Sequence, residues 1–268
     1  LEAWGGGAFV PTMGALHEGH LALMRRAQPL ARPLVISIFV NPTQFGPGED
    51  WQRYPRTREA DLEAAAQVGV EVVFAPDVET MYPPAGQVPV PALPPVATTP
   101  GLEDVHRPGH FAGVCQVVAR LFDLVRPSVA VFGEKDYQQL LVIAEMVRRE
   151  GDRWGDLSIV GHPTVREVDG LALSSRNRYL QADERDRALG LSRALHAARD
   201  APVSPASAEQ LMAAVLASHN LKVDYAAVRD ARTLEPIDAF NRPARALIAA
   251  RLGNVRLIDN MGIDEPTQ

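Results

Sequence analysis

Short apolar runs alternate with longer stretches of helical period through the first part of the chain. A run from Ala8 to Pro11 precedes a helical stretch from Leu21 to Leu30. Leu34 to Val40 precedes one from Ala60 to Val68, and Val70 to Ala75 follows as a third run. This rhythm predicts an α/β fold, a parallel sheet whose strands are joined by crossover helices. The runs Leu34 to Val40 and Val70 to Phe74 are almost continuously apolar, as strands are when helices cover both faces of their sheet. Ligands of such sheets bind at the carboxyl ends of the strands. The Pro-rich stretch from Tyr82 to Pro100 lacks helical period and predicts an ordered loop or flap, with a polyproline peptide as the weaker alternative. A helix from Phe111 to Val125, a strand from Val129 to Phe132 and a helix from Tyr137 to Arg149 continue the alternation to about His162. Beyond it the pattern changes to helices over Ala182 to Arg199 and Ala206 to His219, then strands over Val223 to Arg229 and Arg245 to Ala250. These predict a smaller α+β domain, with residues 1–163 and 164–268 as the two domains. No internal repeat or low-complexity block stands out.

The 268 residues, 46% of them hydrophobic, suffice for one large or two smaller domains. With 27 Lys and Arg against 33 Asp and Glu, the net charge of −6 disfavours nucleic acid or an anionic membrane as partner. An anionic substrate must therefore meet local positive charge. Cys115 is the sole cysteine, which excludes an intrachain disulfide and a multi-thiolate zinc site and fits a reducing, cytoplasmic setting. The apolar run from Leu34 to Val40 falls far short of the ~20 residues that span a bilayer. From Leu1 onward no basic region precedes an apolar stretch, so the reading expects no secretory signal and a trimmed N terminus.

Four clusters carry candidate chemistry. In the first, PTMGALHEGH from Pro11 to His20, two imidazoles three positions apart lie at a helix start. Backbone N–H groups and the helix dipole favour an anion there, phosphate ahead of metal. Taken alone, the pair reads equally as two surface histidines at a cap. In the second, FGEKDYQQL from Phe132 to Leu140, Lys135 can neutralise phosphate and Gln139 can meet a hydroxyl or carboxylate, or Lys135 and Asp136 form an exposed loop pair. Lys135 and Lys222 are the only lysines, so 25 of 27 basic residues are Arg, and a compact ammonium at a strand end gains weight as a requirement.

The third cluster, Ser174, Ser175 and Arg176, offers two hydroxyls and a planar fork, either a phosphate clamp or an ordinary polar capping turn. The fourth runs from Phe39 through Asn41, Pro42, Thr43 and Gln44 to Gly46, and Gln44 can orient an uncharged hydroxyl within what is also a turn. Cys115 reads as a buried small apolar residue, Arg25 and Arg26 as a solvated helix face. A P-loop motif is absent from the sequence.

Together these strings make the chain resemble the pantothenate synthetase family of the nucleotidyltransferase superfamily. The resemblance runs from about Gly7 to Asn260. It rests on PTMGALHEGH, on FVNPTQFGPGED from Phe39 to Asp50, on YPRT from Tyr54 to Thr57 and on RPGHFAGV from Arg107 to Val114. FGEKDYQQL, PTVREVDGLALSSRNRYL from Pro163 to Leu180 and RLIDN from Arg256 to Asn260 complete it.

The resemblance implies a Rossmann-like N-terminal domain that binds ATP and pantoate, a small C-terminal lid domain, and a homodimer through the N-terminal domains. It also implies ATP-dependent joining of pantoate to β-alanine through a non-covalently bound pantoyl adenylate, giving pantothenate, AMP and pyrophosphate. His17, His20, Lys135, Ser174, Ser175 and Arg176 would then be catalytic. Met13, Gly19, Gly133, Asp136 and Val165 would surround the nucleotide, and Gln44 and Gln139 would hold pantoate. Mg²⁺ is expected to bridge phosphates without dedicated protein ligands. Ala112 stands where relatives often carry a longer polar side chain, and Leu173 where some carry Met. An adenylyltransferase that stops at an adenylated product and a nucleotide-binding regulator without turnover are the competing classes, separated by measuring pyrophosphate and AMP in one assay.

Overall fold

In the first strand, β1 (Ala8–Thr12), Ala8 and Val10 face one side and Phe9 the other, and all three are fully buried. The computed structural model describes residues 4–46, 48–84, 86, 88–200 and 204–263. After β1 come α1 (Glu18–Ala27), β2 (Leu34–Ile38), α2 (Arg58–Gln67), β3 (Val72–Phe74), α3 (Val78–Met81), α4 (Glu103–His106), α5 (His110–Val125), β4 (Val129–Gly133), α6 (Tyr137–Arg149) and β5 (Ser158–His162). Among the described residues these strands form one parallel sheet in the order β3-β2-β1-β4-β5. On one face, Ala8, Val10, Leu34, Ile36, Val129 and Val131 pack with Met24 and Ala27 of α1. On the other, Phe9 and Phe132 meet Phe122 of α5 edge to face at 6.4 and 6.5 Å, and Trp154 closes on the same ring at 5.5 Å. Both faces are therefore covered, as the continuous apolar runs require.

The second sheet is antiparallel. β6 (Lys222–Asp230), β7 (Ala244–Leu252) and β8 (Val255–Gly262) pair in that order. α7 (Ala182–Asp200) and α8 (Pro205–Ser218) supply Leu191, Leu195, Met212 and Leu216 to a core with Ala246, Ile248 and Leu257. One compact unit holds the described residues up to 134 together with 138–163, and the other holds 135–137 and the described residues from 164.

Several bounds differ from the sequence reading, each for a local reason. α1 begins at Glu18 rather than Leu21 because His17 caps it. α8 begins at Pro205 because Ser204 and Ser207 form a capping box. β3 keeps only three residues. β8 has no counterpart in the predicted strands: its apolar positions are interrupted by Arg256, Asp259 and Asn260, and their partners lie elsewhere in the second unit. Among its described residues the stretch after Tyr82 is irregular apart from one 3₁₀ turn, Pro95–Ala97, and it is anchored from outside itself, as its lack of period predicts. Gln138 donates to Val96 O at 2.9 Å and Gln116 to Val88 O at 2.7 Å.

Candidate active site

The strand order reverses at β1. β2 and β3 lie to one side of it and β4 and β5 to the other, so the carboxyl ends of β1 and β4 form the topological switch point where such sheets bind ligands. Met13 to His17 leave the end of β1, and Gly133 ends β4. At Gly133 an added Cβ would reach only ordinary contact, 3.9 Å, with Leu23 of α1.

The β1–α1 loop turns through two left-handed residues, Gly14 at φ +79° and Ala15 at φ +50°. A side chain at Gly14 would stand 2.9 Å from Asp61 Oδ2, so glycine is needed both for conformation and for space. For Ala15 the conformation costs roughly 1–2 kcal/mol. Asp61, buried in the first turn of α2, holds this backbone in place. Its Oδ2 accepts from Ala15 N at 3.0 Å, while its Oδ1 accepts from Leu16 N at 2.7 Å and from Thr57 Oγ1 at 3.2 Å. The sequence pattern carries no sign of this role for Asp61, because two of its partners lie 45 and 46 residues away.

The same loop sets the histidines. His17 is the N-cap of α1, and its Nδ1 accepts from Gly19 N at 3.2 Å. The backbone N–H of His17 donates to His20 Nδ1 at 3.3 Å, and the two rings lie 4.1 Å apart. A backbone N–H can only donate. Both Nδ1 atoms are therefore unprotonated, and each neutral ring carries its proton on Nε2 as a donor. Glycine at position 19 thus supplies the N–H that fixes His17.

Gln44 ends a one-turn helix, Pro42–Gln44, that follows β2. Its Nε2 donates to Met13 Sδ at 3.4 Å, which brings those two candidates together. Gly113 of α5 lets this turn approach, since an added Cβ there would lie 2.2 Å from Thr43 O. The backbone carbonyl of Gln44 accepts from His110 Nδ1 at 2.9 Å, and Arg107 donates to His110 Nε2 at 3.0 Å. Burial first, and the Arg107 charge second, push the His110 pKa down to about 4, so the ring is neutral and its Nδ1–H serves the carbonyl. Burial would raise the Glu49 carboxyl, but its forked bond with Arg107, at 2.7 and 2.8 Å, overrides that and holds it below its ordinary value. Gln139, half-buried, lies in the first turn of α6. Its neighbour Gln138 is buried, with Oε1 accepting from Glu103 N at 3.0 Å.

In the second unit, Lys135 pairs with Asp136 at 3.6 Å. Asn260 of β8 donates from Nδ2 to Lys135 O at 2.8 Å and accepts from Arg245 Nε at 2.7 Å. The Arg245 guanidinium lies 3.7 Å from the Tyr137 ring centroid, and Tyr137 donates to Ala231 O at 2.8 Å. Leu173 N donates to Val165 O at 2.9 Å, closing a hairpin that sets Val165 beside the start of the serine cluster. Arg166 binds Asp259 in a fork at 2.6 and 2.9 Å and secures the hairpin. Ser174 Oγ accepts from Arg176 N at 3.3 Å, which leaves its hydroxyl proton for donation, whereas Ser175 is buried.

A sequence model of the family described as Pantoate-beta-alanine ligase matches residues 3–262. The chain belongs to this ligase family. It is 51% identical over 258 residues to the pantothenate synthetase of Xylella fastidiosa strain M12, covering 95% of this chain and 90% of that protein. It is 49% identical over 263 residues to that of Geobacter sulfurreducens, covering 96% and 91%. Among solved structures, a pantothenate synthetase from Thermus thermophilus superposes with a TM-score of 0.91 at 47% identity, covering 97% of this chain and 94% of that one. A pantoate-beta-alanine ligase from Francisella tularensis, complexed with β-γ ATP and β-alanine, gives 0.80 at 32% identity, covering 98% and 91%. For a member of the ligase family, the strings RPGHFAGV and RLIDN now have physical content. Arg107, His110 and Gly113 shape the Gln44 turn, and Asp259 and Asn260 secure the Arg166 hairpin and the Lys135 backbone.

Two outcomes test this architecture. Asp61→Asn should destabilise the fold by about 1–3 kcal/mol, because one backbone N–H loses its acceptor. It should also raise the KM for ATP about tenfold while leaving that for pantoate unmoved. Denaturation and steady-state kinetics read both, and equal rises in the two KM values would contradict a nucleotide role for the loop.

The second concerns acid. The His110 pKa lies below its ordinary 6.5 in the folded state, so the unfolded chain binds the extra proton between these values. Its stability contribution is complete above pH 6.5 and declines toward pH 4, by on the order of 3 kcal/mol. Glu49 adds its own loss only below its ordinary 4.5. In thermal melts from pH 7 downward the wild type should lose stability through that window more steeply than His110→Gln, and parallel curves would refute the assignment.

Proposed function

We propose that the chain makes pantothenate from pantoate, β-alanine and ATP through a pantoyl adenylate held without a covalent link to the protein. One oxygen of the pantoate carboxylate attacks the α-phosphorus of ATP, and pyrophosphate leaves. The β-alanine amine then attacks the acyl carbon, loses a proton and displaces AMP. The first step brings an anion to a polyanion, so the protein must supply positive charge and preorganised donors.

The observation that carries this reading is the locked imidazole pair at the start of α1. His17 and His20 present Nε2–H donors where the N-terminus of the helix already favours phosphate. Met13, Gly19, Gly133, Asp136 and Val165 would surround the nucleotide. Lys135, Ser174, Ser175 and Arg176 would meet the phosphates, with the ammonium neutralising the leaving pyrophosphate. Gln44 and Gln139, which follow the ends of β2 and β4, would hold pantoate through its hydroxyl and carboxylate oxygens. No acyl carrier is needed. Cys115 is fully buried, and burial pushes its thiol up to about 12, so a thiolate nucleophile is not at hand.

Mg²⁺ would enter with ATP as the MgATP substrate, matching its preference for phosphate oxygens and water. Among the described residues, no group of three His, Cys, Asp or Glu could hold an ion. Among those residues, too, no helix is long and apolar enough to cross a membrane. The enzyme would act in the cytoplasm as a homodimer.

Isotope exchange tests the reaction order. With ATP, pantoate and Mg²⁺ but no β-alanine, labelled pyrophosphate should enter ATP, and Lys135→Ala should slow that exchange by about 10²-fold or more. Adding β-alanine should release AMP and pantothenate together. Exchange that requires β-alanine, or labelled pantoate retained on denatured protein, would overturn the free adenylate. Exchange without amide formation would favour an adenylyltransferase.

A further inference from the structure

Gln44 can present either end of its amide to a substrate, and the two ends recognise opposite partners. An NH₂ group binds an acceptor oxygen, whereas a carbonyl binds a hydroxyl proton. What fixes the choice is a chain of hydrogen bonds that begins outside the turn. Tyr82, directly after α3, donates from its hydroxyl to Asn41 Oδ1 at 2.7 Å. Thr43 adds two longer bonds to the same oxygen, from Oγ1 at 3.2 Å and from N at 3.4 Å. With its carbonyl so engaged, Asn41 must turn its NH₂ the other way. That group donates to Gln44 Oε1 at 3.1 Å and to Gly113 O at 3.3 Å. The Gln44 carbonyl is thereby occupied, and its Nε2 is the end that faces Met13.

Tyr82 is well placed to begin such a chain. The preceding Met81 is fully buried, and the Tyr82 ring packs 6.3 Å from Phe39 at the end of β2. Burial raises the phenol above its ordinary pKa, against the opposing effect of its bonds to Thr43 and Asn41, so the hydroxyl keeps the proton it donates.

We infer that Tyr82 is a positioning residue for pantoate recognition, setting through Asn41 the direction in which Gln44 presents its NH₂ to an acceptor oxygen of the hydroxy acid. The inference rests on the reading of Gln44 as a pantoate contact. It makes Tyr82 a determinant of substrate selection without contact with substrate, at the start of a Pro-rich segment whose sequence carried no sign of chemistry.

The test is a double-mutant cycle read in KM values. Tyr82→Phe removes only the hydroxyl. It should raise the KM for pantoate about three- to tenfold, the scale of one lost hydrogen bond, and leave the KM for ATP unaltered. In a Gln44→Ala background, or in Gln44→Met if alanine prevents folding, Tyr82→Phe should have no further effect on the pantoate KM. A purely structural tyrosine would instead raise the KM by the same factor in both backgrounds, or would raise both substrates' KM together, and either result overturns the relay. An unaltered pantoate KM in Tyr82→Phe overturns it as well. If Gln44→Ala itself leaves the pantoate KM unaltered, the reading of Gln44 fails and the inference falls with it.

Discussion

Asp61 sits where a buried carboxyl group would otherwise be a liability, and what makes it tolerable is that three donors converge on it. Two of those donors are the N–H groups of Ala15 and Leu16, so the same bonds that satisfy Asp61 also hold a left-handed turn that Ala15 alone would avoid. His17 follows that turn directly. Its capping geometry places one imidazole at the start of the helix and fixes the tautomer of both rings. A parallel sheet offers its ligand edge only where strands end, and at β1 that edge is shaped by this one interaction between α2 and the loop.

Much of this was legible beforehand, and the reason is periodicity. The runs at Leu34 to Ile38 and Val129 to Phe132 are apolar because both faces of the sheet are covered, so the α/β class and the parallel sheet could be read without tertiary information. β8 could not. Its polar positions Arg256, Asp259 and Asn260 break the alternation, and they are tolerable in a strand only because Asp224, Arg166 and Arg245 meet them. The candidate residues of the loops were visible as chemical types at strand ends. Their supports were not, since Asp61, His110 and Tyr82 reach the loops they hold across 41 to 66 positions of sequence. A pattern-based reading sees local period, and these bonds have none.

The supports share a physical logic. At each one, neighbouring groups fix the orientation of a side chain that could serve in either of two ways. Gly19 N and His17 N decide which imidazole nitrogen carries the proton, and Gln44 O decides the same for His110. Thr43 N and the Tyr82 hydroxyl decide which way Asn41 turns. Donor and acceptor patterns are thus set before any substrate arrives, which is the condition under which hydrogen bonds help a charged transition state rather than reorganise around it. In a chain whose basic residues are almost all Arg, Lys135 is one of two exceptions, and its backbone is held by Asn260 while its ammonium stays compact.

The central claim is that the pantoate carboxylate is itself the nucleophile toward the α-phosphorus. Pantoate labelled with ¹⁸O in both carboxylate oxygens tests it most directly. If one of those oxygens bonds to phosphorus and the acyl–oxygen bond breaks when the amine attacks, each AMP leaves with one ¹⁸O and the pyrophosphate with none. Mass spectrometry of the products should find that pattern. Unlabelled AMP, or label in the pyrophosphate, would contradict the account.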